Sequence, residues 1–397
     1  MGGLDRARTR LSRLVRWFHD APRAARIEVR PQSRWRAVWP VALLGMVFAV
    51  VLIGDRMGVP HDFDPTRPFT VGREWGLIEA LAEQRGAQIT PTGGVYGYDG
   101  QWFLGLAYDP LLRTDITDTF DAPQYRAQRP LLGMLGWLLA AGQPGAIPFA
   151  LLVVQVLAVG LGCAALARLA TAYGRSRWWG FAFLLIPGVL VGVLYGTAEP
   201  LGLALVATGL TLAHDRRLLW AGVAFAGAGL TKETYLGFAA AVAVWIAVRA
   251  ILRGAAWWRP ALSVTLPGVV AFGAWWLYVS VAMPASARAP EQVFAAPFHG
   301  WWATFVSIAR GEYRVDYHDH AIGWAGEGIM VVTFVVIMAA LAAGLWYRQS
   351  MLAYSVFIWC PHGLVIVDFL LGRFLSAQRA LAPTMLAALL MLLAVPW

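Results

Sequence analysis

Residues 146–167 read AIPFALLVVQVLAVGLGCAALA, twenty-two positions without one charged side chain. The hydrocarbon layer of a bilayer takes roughly 20 apolar residues to cross as a helix. Within it every backbone N–H and C=O must be paired inside the segment, which a helix achieves. The stretch therefore reads as a membrane-spanning helix, and the pattern recurs along the chain. Comparable apolar runs occupy 37–54, 178–196, 199–213, 217–231, 234–250, 261–283, 328–346, 351–371 and 379–396, which makes about ten spans. A shorter run, 131–142, is too short to span comfortably and reads as a re-entrant helix or the first part of a kinked one. The alternating segments of roughly ten residues that mark a membrane barrel are absent. The expected fold is all-α: a polytopic integral membrane protein.

Composition agrees. The 397 residues are 59% hydrophobic and only 14% charged, whereas soluble domains carry about 25% charged residues. The net charge of +9 is concentrated at the start: residues 1–36 hold ten arginines against Asp5, Asp20 and Glu28 and alone supply +7. A basic segment before a first span marks the cytoplasmic side, so the excess of arginine is no nucleic-acid signature. Within it Leu4, Leu11, Leu14, Val15, Trp17 and Phe18 alternate with arginines, a pattern suited either to a helix on anionic lipid or to an unstructured basic tail. Its length and the lack of a small-residue cleavage site argue against a removable signal peptide. Two units follow: 1–36, a basic cytoplasmic segment, and 37–397, a single transmembrane domain. Cys163 and Cys360 both fall inside apolar runs and read as small core residues. The preference for arginine over lysine suggests a GC-rich bacterial genome, hence a bacterial inner membrane.

With the amino terminus inside, the inner loops carry Arg175 and Arg177, Arg216 and Arg217, Arg249, Arg253 and Arg259, and Arg348, all basic as the positive-inside rule requires. Counting 131–142 as a span would invert this. Two extracytoplasmic loops are long, 55–130 and 284–327, and loops of such length usually have a function or structure of their own. In the first, Val71, Trp75, Ile78 and Ala82 recur at helical spacing before Gly86, predicting an amphipathic helix along the membrane surface. A second short helix should begin near Asp99, with Trp102, Phe103 and Leu106 toward lipid.

This layout gathers polar residues from distant loops at one membrane face, where charge beside hydrocarbon is costly and usually functional. Asp99, in Gly97-Tyr98-Asp99-Gly100-Gln101-Trp102-Phe103, reads either as a helix cap or as a general base beside an acceptor hydroxyl. Arg126 and Arg129 precede the Pro130-Leu131-Leu132 helix start and either snorkel to lipid phosphates or grip a substrate phosphate. Glu199, in Thr197-Ala198-Glu199-Pro200, suits a helix start. Lys232, the one lysine in the chain, stands beside Glu233; it reads as half of a turn-capping pair or as a point charge for phosphate. Arg373, Gln378 and Arg379 lie at the outer end of the last span. His318 and His320, among Arg310, Glu312, Arg314, Asp316 and Asp319, and likewise Asp62 and Asp64, are better read as solvated loop than as metal ligands.

These motifs resemble the GT-C superfamily of membrane glycosyltransferases, and within it bacterial proteins similar to PIG-V-type mannosyltransferases. The likeness rests on one span before a long outer loop, the Tyr98–Phe103 motif, the Tyr125–Leu132 segment ending in Pro-Leu, the turns at Glu199 and Lys232-Glu233, and Arg379-Ala-Leu-Ala-Pro383. It covers about 37–240 and the last 25 residues. Arg129 stands where an aromatic often precedes Pro-Leu, and no Tyr follows Arg379. The resemblance implies transfer of a sugar, such as mannose, from a polyprenyl-phosphate donor to a lipid, glycan or protein acceptor at the extracytoplasmic face. Inversion would follow, with Asp99 as base and Arg126, Arg129, Lys232 or Arg379 on the phosphate. Tyr98, Gln101, Glu199 and Glu233 would support them, with no metal obligatory. The alternative is a transporter or flippase, favoured by Pro187, Pro267 and the intramembrane group Pro361, His362 and Asp368. No internal repeat of the kind common in transporters is present. A partner-docking scaffold explains the loops but not the gathered cations.

Overall fold

The computed structural model describes residues 35–58, 63–73, 77–91, 97–113, 120, 122–283, 296–312, 323–364 and 374–395, and all their regular elements are helical. Helix α1 (Trp35–Met57) precedes the first long loop, which carries α2 (Leu77–Gln84), α3 (Gly100–Tyr108) and α4 (Pro123–Ala127). Then come α5 (Leu131–Leu139), α6 (Ile147–Ala172), a 3-10 helix (Arg177–Leu185), α7 (Pro187–Leu194), α8 (Glu199–His214) and α9 (Leu218–Thr231). A 3-10 turn (Glu233–Tyr235) leads to α10 (Leu236–Leu252) and α11 (Trp258–Ala282); α12 (His299–Ala309), α13 (Gly323–Trp346), α14 (Met351–Leu364) and α15 (Phe374–Ala394) complete the chain.

Among the described residues six helices are long and apolar enough to cross a membrane, or seven if one bent pair counts as a span. Of the other four expected spans one is bent, two are short, and one lies partly outside the described residues. Segment 178–196 bends by 67° between its two helices, because the residue before a proline avoids helical backbone and Ile186 is extended ahead of Pro187. Helices α8 and α9 have 16 and 14 residues, about 24 and 21 Å at 1.5 Å per residue, short of a 30 Å layer. Helix α14 is described over Met351–Leu364, and the rest of the expected span 351–371 lies outside the described residues. The nine residues of α5 reach only about 14 Å.

The outward faces identify the solvent. Leu43, Leu44, Val47, Val50 and Val51 on α1, and Leu266, Val269, Val270, Leu277 and Val281 on α11, are all exposed. In water such a contiguous apolar surface would drive association; against acyl chains it carries no cost. The chain is an α-helical membrane protein.

Helices α6 and α15 form the centre. Their most apolar windows are 72% and 78% enclosed, α6 between α1 and α8, and α15 among α7, α13 and α14. Close approach depends on small residues, the usual device where lipid removes the hydrophobic drive between helices. A Cβ on Gly45 would fall 2.8 Å from Cys163 Sγ, and one on Gly160 2.5 Å from Met46 Cε. Both cysteines are buried and unpaired.

Charge is segregated along the same helices. Glu199 opens α8, while Asp215, just past its other end, takes Arg168 Nη2 at 2.7 Å. Arg379 lies in the second turn of α15, and Leu393 near its end accepts Arg175 Nε at 3.2 Å. The arginines of the basic loop after α6 therefore sit one helix length away from Glu199 and Arg379.

Two expectations about the first long loop need correction. Ile78 and Ala82 on α2 are fully buried, packed onto α3 and not laid on a membrane surface. Trp102, Phe103 and Leu106 are enclosed by protein, not turned to lipid. The reason is composition: all nine residues of α3 are buried, as suits a helix with no polar stripe. Gly86 does stop α2, at φ +79°, with Ala87 N–H returning to the Ala82 carbonyl at 2.9 Å. Trp75 lies outside the described residues.

Candidate active site

The Tyr98–Asp99–Gly100 segment is held from three sides. Tyr98 N–H donates to the Thr70 carbonyl at 2.9 Å. The Gln101 side chain, 1% exposed, accepts from Gly72 N–H at 3.1 Å. Gly97 takes φ +69°, and Gly100 lies so close to the chain before α8 that a Cβ would sit 2.0 Å from the Tyr195 carbonyl oxygen. Gly100→Ala should therefore lower stability by about 1–3 kcal/mol, read as thermal unfolding in detergent. Gly54→Ala, where an added Cβ meets nothing within 4 Å, should leave it unchanged; equal melting of the two variants would refute the close fit.

Asp99 occupies the cap position of α3, yet its side chain makes no capping hydrogen bond. Its Oδ2 instead meets Arg379 Nη1 at 2.5 Å and Arg126 Nη1 at 3.2 Å. Burial alone would raise the Asp99 pKa; the two guanidiniums outweigh it and hold the carboxyl well below the ordinary range. The resting carboxylate is thus ionised and shared.

Arg379 bridges two acids, because its Nε also donates to Glu199 Oε1 at 2.9 Å. Glu199 is 2% exposed, receives the Thr197 hydroxyl on its other oxygen, and lies 3.6 Å from Lys232 Nζ. Burial pulls the Lys232 ammonium below the usual lysine value, against the pull of Glu199. Arg129 forms a two-point pair with Glu233, at 3.0 and 2.9 Å, donates to the Tyr125 hydroxyl and stacks on that ring at 4.3 Å. At 5% exposure it is packed inside the protein, not snorkelling to lipid.

Lys232 and Glu233 do not pair with each other. Extended backbone at Lys232, φ −162° and ψ 117°, sends neighbouring side chains apart, one toward Glu199 and the other toward Arg129. The aromatic rim is Tyr98, with Arg379 5.4 Å above its ring, then Tyr195 at 4.8 Å, itself capped by Arg56.

All nine candidates thus fall in one cluster or its immediate support, from the first loop, the starts of α5 and α8, the turn after α9, and α15. Three supports were not singled out from sequence. Gln155 in α6, fully buried, donates to the Thr197 carbonyl at 2.6 Å; as a lone amide within a charge-free span it carried a readable signal. Trp275 of α11 donates to the Ala127 carbonyl at 2.8 Å, between the two arginines. Tyr235 is described below. Arg373, Arg314, Asp316, His318, Asp319, His320, Asp62 and Asp368 lie outside the described residues. Among the described residues no three His, Cys, Asp or Glu side chains gather as metal ligands.

The ion-paired groups form one cluster of alternating charge. Arg126, Arg379 and Lys232 face Asp99 and Glu199, while Arg129 and Glu233 cancel. Asp99 is held there by two guanidiniums at once. Comparison with protein-family models, with curated proteins and with solved structures finds no match for the chain.

Proposed function

We propose that the protein is a membrane glycosyltransferase acting at the extracytoplasmic face, taking a sugar from a polyprenyl-phosphate donor. The observation that carries the reading is the Asp99 carboxylate shared between Arg379 and Arg126, in one cluster with Glu199 and Lys232.

The donor phosphate competes with Asp99 for Arg126 and Arg379. Freed of those cations, the half-buried carboxylate becomes more basic. It then takes the proton of an acceptor hydroxyl as that oxygen bonds to the anomeric carbon. The bond from that carbon to the phosphate oxygen breaks, its electron pair leaves with the phosphate, and configuration inverts. The released monoester carries two negative charges, and protonation of Asp99 removes one from the protein, so the site stays balanced. Arg379, Arg126 and Lys232 stabilise the charge as it develops.

A pH dependence follows. The free protein holds Asp99 well below the ordinary carboxylate range, and donor binding raises it. The acid limb of kcat should therefore lie at higher pH than that of kcat/KM, since these report the complex and the free enzyme respectively. Coincident limbs would remove the exchange of cations from the mechanism.

The reading as a whole is tested with purified protein in detergent, a polyprenyl-phosphate sugar and candidate acceptors, following released polyprenyl phosphate and the glycosylated product by mass spectrometry. Solute movement across liposomes without covalent change would replace this reading by transport.

A further inference from the structure

The turn Glu233–Tyr235 buries its last side chain completely. The Tyr235 ring lies on Gly202 of α8, where a Cβ would fall 2.2 Å from Cε2 and 2.6 Å from Cδ2. Gly202 is one helical turn beyond Glu199 and shares its face, so the ring is seated beside that carboxylate. Lys232 Nζ stands 5.9 Å from the ring centroid. The charges of Glu199, Arg379, Arg129 and Glu233 all act on the hydroxyl. Yet this buried hydroxyl has no hydrogen-bond partner among the described residues. The neighbouring carboxylates are already engaged: Glu199 by Arg379 and Thr197, Glu233 by Arg129. Buried hydroxyls are normally satisfied, and an exception within a charged cluster calls for an acceptor brought in from outside.

We propose that Tyr235 is a ligand-binding residue whose hydroxyl donates to a phosphoryl oxygen of the bound donor, on the group that Arg379 and Lys232 neutralise. The assignment rests on the donor class proposed above. A phosphoryl oxygen suits the position because Lys232 and Arg379 stand in the same cluster, and a phenol O–H to a charged oxygen is the stronger kind of hydrogen bond. A sugar hydroxyl would make the weaker, neutral bond there.

The test compares wild type, Tyr235→Phe and Tyr108→Phe in detergent, titrated calorimetrically with farnesyl phosphate and with farnesol. Tyr108 also has a buried hydroxyl without a partner among the described residues but belongs to α3, away from the cations. Tyr235→Phe should weaken farnesyl phosphate binding about ten-fold, with farnesol binding unchanged and Tyr108→Phe matching wild type. Without ligand, Tyr235→Phe should melt at or above the wild-type temperature, since it removes an unmet hydroxyl.

Equal affinity of wild type and Tyr235→Phe for farnesyl phosphate would overturn the tyrosine assignment and leave the donor class standing. Failure of wild type to bind farnesyl phosphate would overturn both. A clear fall in the ligand-free melting temperature would show that the hydroxyl already has a protein partner and would overturn the proposal, as would an equal loss of farnesol binding.

Discussion

Asp99→Asn is expected to reduce turnover by roughly 10²- to 10⁴-fold, the usual contribution of a general base, while donor binding is kept or tightened. Asparagine preserves the shape of the side chain and removes its ability to take a proton. It also removes the charge that occupies Arg379 at 2.5 Å and Arg126 at 3.2 Å. Those guanidiniums then meet the phosphate without Asp99 as a competitor. The signature is a split: kcat falls while the KM for donor holds or drops. Single-turnover kinetics with a radiolabelled donor, together with direct titration of binding, would measure both halves. Turnover within ten-fold of wild type would take Asp99 out of the chemistry, and loss of donor binding would make it a structural residue.

The second large effect is on stability. Arg379→Gln removes one cation from between two carboxylates, of which Glu199 is 2% exposed. Breaking a buried ion pair by deleting one partner costs about 3–5 kcal/mol, because the remaining charge is left uncompensated. Lys232 at 3.6 Å offsets part of the loss at Glu199. The double variant Glu199→Gln, Arg379→Gln should therefore recover stability relative to Arg379→Gln alone. Lysine at 379 should rescue poorly, since a point charge does not present two separate donors as Arg379 does to Asp99 and Glu199. Thermal unfolding in detergent across these variants and Glu199→Gln alone closes the cycle and gives the coupling energy. Wild-type melting of Arg379→Gln would show that solvent or lipid already screens the pair.

How much of this is legible in the sequence depends on the range of the interaction. A charge-free run such as 146–167 specifies its helix by itself, and so do the other long spans. The break in 178–196 was signalled by Pro187, but its 67° angle was not. Helices α8 and α9 were read as spans because their apolar character is real; at 16 and 14 residues they are shorter than the six helices long enough to cross by themselves. The burial of α3 was misread because apolar side chains on all sides suit lipid and protein interior alike. Within the site, residue types and topology brought Asp99, Glu199, Lys232 and Arg379 to one face. Their pairing was not readable. Lys232 and Glu233 are neighbours in sequence yet face opposite partners, a consequence of one extended residue. Tyr235 draws its meaning from a missing Cβ at Gly202, which a linear pattern does not display.

The Arg379–Asp99 contact joins residues 280 positions apart, and the Arg379–Glu199 contact joins residues 180 apart. Because a ribosome delivers the chain from its amino end, both carboxylates enter the membrane long before the guanidinium that will neutralise them exists. The nascent protein must carry these acids unpaired, or lean on Arg126 and Lys232, until α15 inserts and closes the network. Insertion of that helix is thus the step that locks the assembly, and an arrest of translation just ahead of it would leave a protein with most of its spans and no completed charge centre.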